Sequence, residues 1–284
     1  MVSIEEQVES WNLSGPPIRP SYQDLQLVKK HFELKQNPSV LILGITPEII
    51  DFCNNFGCEK VAVIDIRHSA VEALKSMCLT DCTNVEFLVG DWRTCLTGFE
   101  ESFDFVIGHG SFLFLEFPDE WSSTLLIMNS YLRKNGVLLL RNFHGGCDDN
   151  FMKNIEVIFK SITSGRLELA EPTIIKLFSE TRCAALRVSC DTNGNLNIAK
   201  LFQVQSKLLE KFDKLVLEGE VYEKFKREIT SSTAKGYGTL SPIAGPNILQ
   251  LNSLLDELKL KYNYEYSGSN LFPDWFTFYS IYKI

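Results

Sequence analysis

Four short groups of residues in this chain combine side-chain types and spacing suited to holding a nucleoside. Asp65 ends the apolar run VAVID about twenty residues beyond Gly44, which closes VLILG. A carboxylate at a strand tip, that far past a glycine turn, can accept hydrogen bonds from both hydroxyls of a ribose. Asp91, in Gly90-Asp91-Trp92 after VEFLV, can accept from an exocyclic adenine amine, and Trp92 offers a flat apolar face beside the ring. His109 stands between Gly108 and Gly110. Glycines let the backbone approach a ligand closely, and an imidazole there can act as a general base or hold a substrate. Each residue also has a plain structural counterpart: Asp65 as a helix or loop cap, Gly90-Asp91 as a common turn, His109 as a packed loop histidine.

These residues can meet only if the segments before them are parallel strands. From Val40 the chain alternates short apolar runs with helical stretches: VLILG, a helix over 47–56, VAVID, a helix over 69–79, VEFLV, then FDFVIG. That alternation is the pattern of βαβ units. Thr46 can cap the first of these helices, Pro47 suits its first position, and Gly57 follows its end. Pro118 opens a third helix, expected to run through DEWSSTLLIMNSYLRKN to Gly136, and VLLLRNF is then a fifth, buried strand. In an open parallel sheet a ligand lies beyond the carboxyl ends of the strands, where the strand order reverses. The candidate binding residues are therefore the strand exits: Gly44-Ile45-Thr46-Pro47, Asp65-Ile66-Arg67, Gly90-Asp91-Trp92 and His109-Gly110-Ser111.

Before the core, residues 1–37 read as a helical extension with a short acidic helix, the proline-rich loop WNLSGPPIRPS and an amphipathic helix over 22–34. Residues 151–245 lack strand alternation and show helical periodicity, as in NIEVIFKSI, AKLFQVQSKLLEKFDKLVL and EVYEKFKREI, broken by turns such as CDTNGN. They are read as a helical insertion placed to act as a substrate lid. Residues 246–284 end in YNYEYSG and WFTFYSIYKI, two aromatic runs expected to form a closing antiparallel pair. The core domain is thus 38–150 with 246–284, and the fold is α/β: a Rossmann-like, seven-stranded, mostly parallel sheet with an antiparallel C-terminal hairpin.

Composition narrows the function. With 284 residues, 45% of them hydrophobic, the chain can bury a large core, and a net charge of −8 without a basic run opposes nucleic-acid binding. The acidic N-terminus lacks a secretory pattern and no apolar run reaches membrane-span length, so a soluble cytoplasmic protein is expected. Eight cysteines include no C-x-x-C pair. Cys78 and Cys82, four apart, have no histidine pair with ligand spacing beside them, so no metal site is expected. Oligomeric state is not readable from these features.

With strand exits in this order and a terminal hairpin after the fifth strand, the chain resembles the class I S-adenosylmethionine-dependent methyltransferases. VLILGITPE, VAVIDIRHSAVEAL, VEFLVGDW, FDFVIGHGSF and YLRKNGVLLLRNF carry the resemblance, over roughly residues 38–143 and 246–284. The family's first motif is usually G-x-G-x-G; here only Gly44 remains, followed by Thr46 and Pro47. This L-G-x-T-P-E form resembles a bacterial branch in which a tryptophan and a P-P-x-R-P-S segment precede the core, here Trp11 and Pro16-Pro17-Ile18-Arg19-Pro20-Ser21. The resemblance implies S-adenosylmethionine as cofactor, S-adenosylhomocysteine as product and a small-molecule acceptor. It gives Arg19 a role in pairing with the methionine carboxylate or a substrate acid, and Trp11 or Tyr22 a role as a cover.

Methyl transfer from a sulfonium needs chiefly that donor and acceptor be held in register and water excluded. His109 and His144 are the histidines placed to serve as base; His144 reads better as a turn residue. Phe112, Phe114, Phe117 and Trp121 either line an acceptor pocket or pack the core. Three rival readings share parts of the pattern: a non-catalytic S-adenosylmethionine- or nucleoside-binding protein, an NAD-dependent dehydrogenase, which lacks its G-x-G-x-x-G here, and an aminopropyl transferase.

Overall fold

Burial on both faces makes the central strands near-continuous apolar runs, and their pairing sets everything else. The computed structural model describes residues 3–12, 14–94, 97–145, 171–212, 223, 245–267 and 273–284. Helices α1 (Ile4–Asn12) and α2 (Tyr22–Phe32) precede β1 (Ser39–Leu43), α3 (Pro47–Phe56), β2 (Lys60–Asp65), α4 (His68–Lys75), β3 (Val85–Val89) and β4 (Phe103–His109). A 3-10 turn (Ser111–Phe114), α5 (Asp119–Tyr131) and β5 (Leu132–Phe143) follow. Beyond β5 lie α6 (Glu171–Ser189), α7 (Ile198–Phe212), α8 (Ile248–Glu257), β6 (Lys261–Tyr266) and β7 (Phe276–Tyr282).

The seven strands are ordered β3-β2-β1-β4-β5-β7-β6. Strands β1 to β5 are parallel to their neighbours among them, and β7 runs antiparallel to both β5 and β6. The expected seven-stranded, mostly parallel sheet with an antiparallel C-terminal hairpin is present. On one face Val40, Ile42, Val63, Phe105, Ile107 and Leu139 pack against α2, α3 and α4 through Val28, Phe32, Ile49, Ile50, Cys53 and Leu74. On the other, Leu41, Leu43, Ile64, Val106, Leu138 and Leu140 pack against α5 and α8 through Trp121, Leu125, Met128, Leu251 and Leu255. The aromatic cluster after β4 divides: Phe112 and Trp121 are core, Phe117 packs against it, and Phe114 is exposed.

Two helix ends differ from the periodicity. Helix α5 stops at Tyr131 rather than near Gly136, because Leu132 already pairs with Phe103 of β4. The chain then turns through Asn135 in the left-handed region (φ 63°), and a Cβ on Gly136 would lie 2.9 Å from the Arg133 carbonyl oxygen. Helix α4 ends at Lys75, not 79, since the amides of Leu79 and Thr80 donate to the Asp51 carboxylate at 2.9–3.0 Å instead of continuing the helix.

Within 151–245, α6 and α7 are helical as expected, and CDTNGN is the turn between them. The segments NIEVIFKSI and EVYEKFKREI lie outside the described residues, Glu223 apart. That turn is pinned to the sheet where three glycines meet: Gly145 N donates to Gly245 O at 2.6 Å and Gly245 N to Gly194 O at 2.8 Å. A Cβ on Gly145 or Gly194 would fall 2.7 Å from the Gly245 oxygen, so the contact requires glycine. No described helix is long and apolar enough to cross a membrane.

At the opposite, amino end of the sheet, Asp104 ties β1 and the start of β5 to β4. Its carboxylate accepts from Ser39 N (3.1 Å), Lys35 Nζ (3.2 Å) and Arg133 Nη1 (3.1 Å). Burial opposes its ionisation, but the Ser39 amide, Lys35 and Arg133 outweigh it and hold its pKa below the ordinary value. Asp104→Asn should therefore cost about 1–3 kcal/mol in urea unfolding at neutral pH. A group whose pKa is lowered on folding stabilises above its unfolded pKa, about 4, and loses that contribution as pH falls through its folded value. The gap between wild type and variant should narrow below about pH 4; a gap independent of pH would contradict this ionised staple.

Candidate active site

Strand order reverses between β1 and β4, whose following helices α3 and α5 leave on opposite faces of the sheet. A crevice opens between such exits. β1 leaves through Gly44 in the left-handed region (φ 79°), its N–H donating to Ile64 O at 2.8 Å. A Cβ placed on Gly44 would meet Ser111 Oγ at 3.7 Å and Asp65 Oδ2 at 3.9 Å, so the exits of β1, β2 and β4 converge on this glycine. Ser111 Oγ donates a short hydrogen bond to Leu43 O, fastening the β4 exit to β1.

Asp65 is buried at the tip of β2, with its carboxylate beside Gly44 where these exits converge. Its Oδ2 accepts from Ile45 N at 3.3 Å and its Oδ1 from Arg67 N at 2.9 Å. Each oxygen receives one backbone N–H and so keeps further acceptor capacity. Beside it Ile66 is 56% exposed and Val89, at the neighbouring exit, 52%. Two large apolar side chains left in solvent beside a carboxylate with spare lone pairs are a surface on which a flat ring can rest.

The other candidates are engaged within the protein. Thr46 occupies the N-cap of α3, but its hydroxyl donates to Gly44 O at 3.3 Å and makes no capping bond, contrary to the capping role expected of it. Pro47 opens the helix as expected. Asp91 is gripped by Arg93: Nε and the backbone N donate to Oδ1 at 2.9 Å, and Nη2 to Oδ2 at 2.6 Å. This hydrogen bonding, against burial, keeps the Asp91 carboxyl below its ordinary pKa. Gly90 N donates to Asp65 O at 3.0 Å, and Trp92 stacks on Phe112 with ring centres 5.7 Å apart. Arg19 pairs with Glu48 in the first turn of α3 and lies 5.5 Å over the Trp11 ring, while Tyr22 is exposed.

His109 turns away from solvent. Its Nε2 lies 3.8 Å from Asp24 Oδ2, too far for a hydrogen bond. Burial, then the Arg141 charge, push its pKa below the ordinary value despite Asp24 and Glu48, leaving a neutral imidazole near pH 7. His144 is locked in the core by Thr277 Oγ1 (2.6 Å) and Pro246 O (2.9 Å), the structural role its turn position suggested. The residues around His109, namely Asp24, Arg141 and Ser267, were missed in the sequence. Arg141 carried a signal, being a lone cation inside the apolar run VLLLRNF.

No protein-family profile matches the chain, and no curated protein does. Solved structures do. A Rhodobacter sphaeroides protein provisionally named a Zn-dependent alcohol dehydrogenase superposes with TM-score 0.54 at 15% identity, over 100% of this chain and 99% of that one. The N-methyltransferase NodS from Bradyrhizobium japonicum WM9, in complex with S-adenosyl-L-homocysteine, gives 0.51 at 11% identity over 99% and 95%. A Methanococcus maripaludis protein provisionally named an S-adenosyl-L-methionine-dependent methyltransferase gives 0.50 at 12% identity over 100% and 94%. At these identities the likeness establishes the fold alone: Rossmann-like, and shared with proteins named as methyltransferases and with one named as a dehydrogenase.

Because ordinary van der Waals space surrounds a Cβ at Gly44, the Gly44→Ala change should act through backbone strain alone, costing about 1–2 kcal/mol. Urea unfolding of the variant measures this; an unchanged midpoint would mean that the left-handed turn does not form.

Proposed function

We propose that this chain is an S-adenosylmethionine-dependent methyltransferase acting on a small-molecule acceptor. The observation that carries the reading is Asp65, buried at the β2 tip with its carboxylate beside Gly44 and with unused acceptor capacity. The all-parallel dinucleotide-binding order is 3-2-1-4-5-6. Here antiparallel β7 stands between β5 and β6, which favours the methyltransferase reading over an NAD-dependent dehydrogenase.

The residues present fit the cofactor. Asp65 would hold the ribose hydroxyls, and the exposed Ile66 and Val89 would flank the adenine. Gly44, Ile45, Thr46 and Pro47 would hold the methionine side, and Gly110 and Ser111 the β4 edge. When bound, S-adenosylmethionine supplies an electrophilic methyl group on a sulfonium. The protein's part is to bind, orient and exclude water. Asp91 and Arg67 act in this reading by shaping the turns that hold the base. Arg19, through Glu48, ties the N-terminal loop to the first turn of α3.

The wider organisation follows the same reading. Residues 38–150 and 246–284 form the cofactor domain, 1–37 an N-terminal extension, and 151–245 a lid that selects the acceptor. In this reading the L-G-x-T-P-E turn, with Trp11 and the P-P-I-R-P-S segment, supports kinship with the bacterial branch that the sequence resembles. A non-catalytic nucleoside-binding role is the second reading, favoured by the reduction of the first motif to the single Gly44.

Calorimetric titration with S-adenosylmethionine, S-adenosylhomocysteine and NAD tests the proposal. Both adenosyl ligands should bind and NAD should not. Asp65→Ala should weaken adenosyl binding by about 1.5–3 kcal/mol, the value of hydrogen bonds to a charged group. NAD binding alone, or unchanged affinity in Asp65→Ala, overturns it; adenosyl binding without turnover on any acceptor supports the binding-only role.

A further inference from the structure

Behind the crevice, on the α2 face of the sheet, lies a polar corner that the cofactor site does not use. His109 at the end of β4 and Arg141 on β5 are register partners, so their side chains emerge together from adjacent strands. Both point at Asp24 of α2: Arg141 Nε lies 3.3 Å from Oδ1 and His109 Nε2 3.8 Å from Oδ2. Asp24 is fully satisfied, accepting from Ser21 N and Ser21 Oγ at 2.8 Å each and a short bond from Ser267 Oγ. Arg141 and His109 are not. Arg141 spends Nε on Ser267 Oγ (2.7 Å) and Nη1 on Pro17 O (2.9 Å), and its guanidinium lies 4.2 Å over the Phe276 ring. Its Nη2, like His109 Nε2, is buried and has no hydrogen-bond partner among the described residues.

A buried guanidinium N–H without an acceptor is unfavourable, since it has surrendered water and gained nothing. Arg141 Nη2 is such a donor, and His109 Nε2, a donor in one tautomer of the neutral ring and in the protonated ring, lies unpartnered beside the same carboxylate; both side chains are 4% exposed, and one more acceptor would satisfy them. The missing group is an oxygen acceptor, because Nη2 can only donate, and it is anionic, because a planar guanidinium prefers a carboxylate. The charged groups facing the corner are Arg141 from β5, Asp24 from α2 and Glu48 from α3, the last paired with Arg19; the Cys183 thiol of α6, its pKa pushed by burial up to about 12, faces Arg141 uncharged. Arg141 and Asp24 balance one another, Glu48 is balanced by Arg19, and a neutral imidazole can take up a proton, so one further negative charge can be matched locally.

We infer that His109 and Arg141 form a carboxylate-binding site, and that a small-molecule acceptor enters this corner through a carboxylate group. That the bound molecule is a methyl acceptor rests on the proposed methyl transfer; anion binding at the corner does not. The corner adjoins the β4 exit at Gly110 and Ser111, so an acceptor anchored there extends towards the crevice at Gly44. Its roof is the 14–21 segment, held by Gly15 N to Ser179 Oγ (2.8 Å), by Pro17 O to Arg141 and by Arg19 to Glu48. Entry requires that roof to lift.

The test is NMR titration of the four histidines in the full chain, with His109 assigned by its loss in His109→Gln. Sodium formate is the probe, against sodium chloride at matched ionic strength. Formate should shift the His109 resonance saturably and raise its titration midpoint by about one unit, the effect of an adjacent opposite charge, while buried His144 stays still. Arg141→Lys, which keeps the charge but lacks Nη2, should weaken the response at least tenfold. No saturable shift in the wild type, or an equal shift with chloride or methylammonium chloride, overturns the site, and this arm stands even if Arg141→Lys does not fold. Calorimetry with S-adenosylmethionine on the same sample separates the two conclusions. Cofactor binding without a formate response sinks only the carboxylate site, and the reverse sinks only the proposed function.

Discussion

A parallel sheet whose order reverses between β1 and β4 cannot cover its own carboxyl edge there, because the two connecting segments depart to opposite faces. The left-handed turn at Gly44 keeps that gap open while holding it narrow. The glycine lets β1 turn under the crevice, and the Ser111 to Leu43 bond draws the β4 exit against it. Asp65 completes the arrangement, since its carboxylate fixes the amides of Ile45 and Arg67 and thereby the paths of the first two exits. The crevice is therefore a consequence of backbone connectivity, and the polar groups that rim it are held by backbone hydrogen bonds more than by side-chain packing.

Charge is distributed by the same logic. At the amino edge Asp104 gathers Lys35 and Arg133 at a partly wet site, where the ion pairs serve to align strands. At the carboxyl edge Asp24 and Arg141 are almost wholly withdrawn from water. A buried pair of this kind gains little net stability once desolvation is counted, so its presence is better accounted for by specificity or binding than by folding energy. The N-terminal loop is recruited to satisfy it: Pro17 supplies a carbonyl and Ser21 a hydroxyl and an amide. Without residues 14–21, Arg141 would lie in the sheet with one partner fewer and Asp24 with two fewer.

Apolar rhythm is a local property, so the five parallel strands, α3 with Pro47 at its start and Gly57 at its end, and the aromatic closing pair were legible from the residues. So was Asp65 as a strand-tip carboxylate. The end of α5 was not, because Leu132 leaves the helix to pair with Phe103, almost thirty residues earlier in the chain. Nor was the shortening of α4, which depends on a carboxylate from α3. Thr46 stands where a cap belongs, yet bonds back to Gly44, a choice set by the turn's geometry and not by residue type.

The amino-acid sequence by itself determined the kind of fold, the order of its strand exits and the presence of a carboxylate at the second of them, since periodicity and turn chemistry act over a few residues. Tertiary structure alone decided the partners. Arg19 went to Glu48, and His109 to a corner shared with Asp24, Arg141 and Ser267. Those last four residues span more than 240 positions of chain and meet because β4, β5 and α2 pack side by side and the chain leaving β6 pairs with β7 next to β5. Electrostatic partnership depends on distance in space, and that distance is set only when the sheet has closed its order.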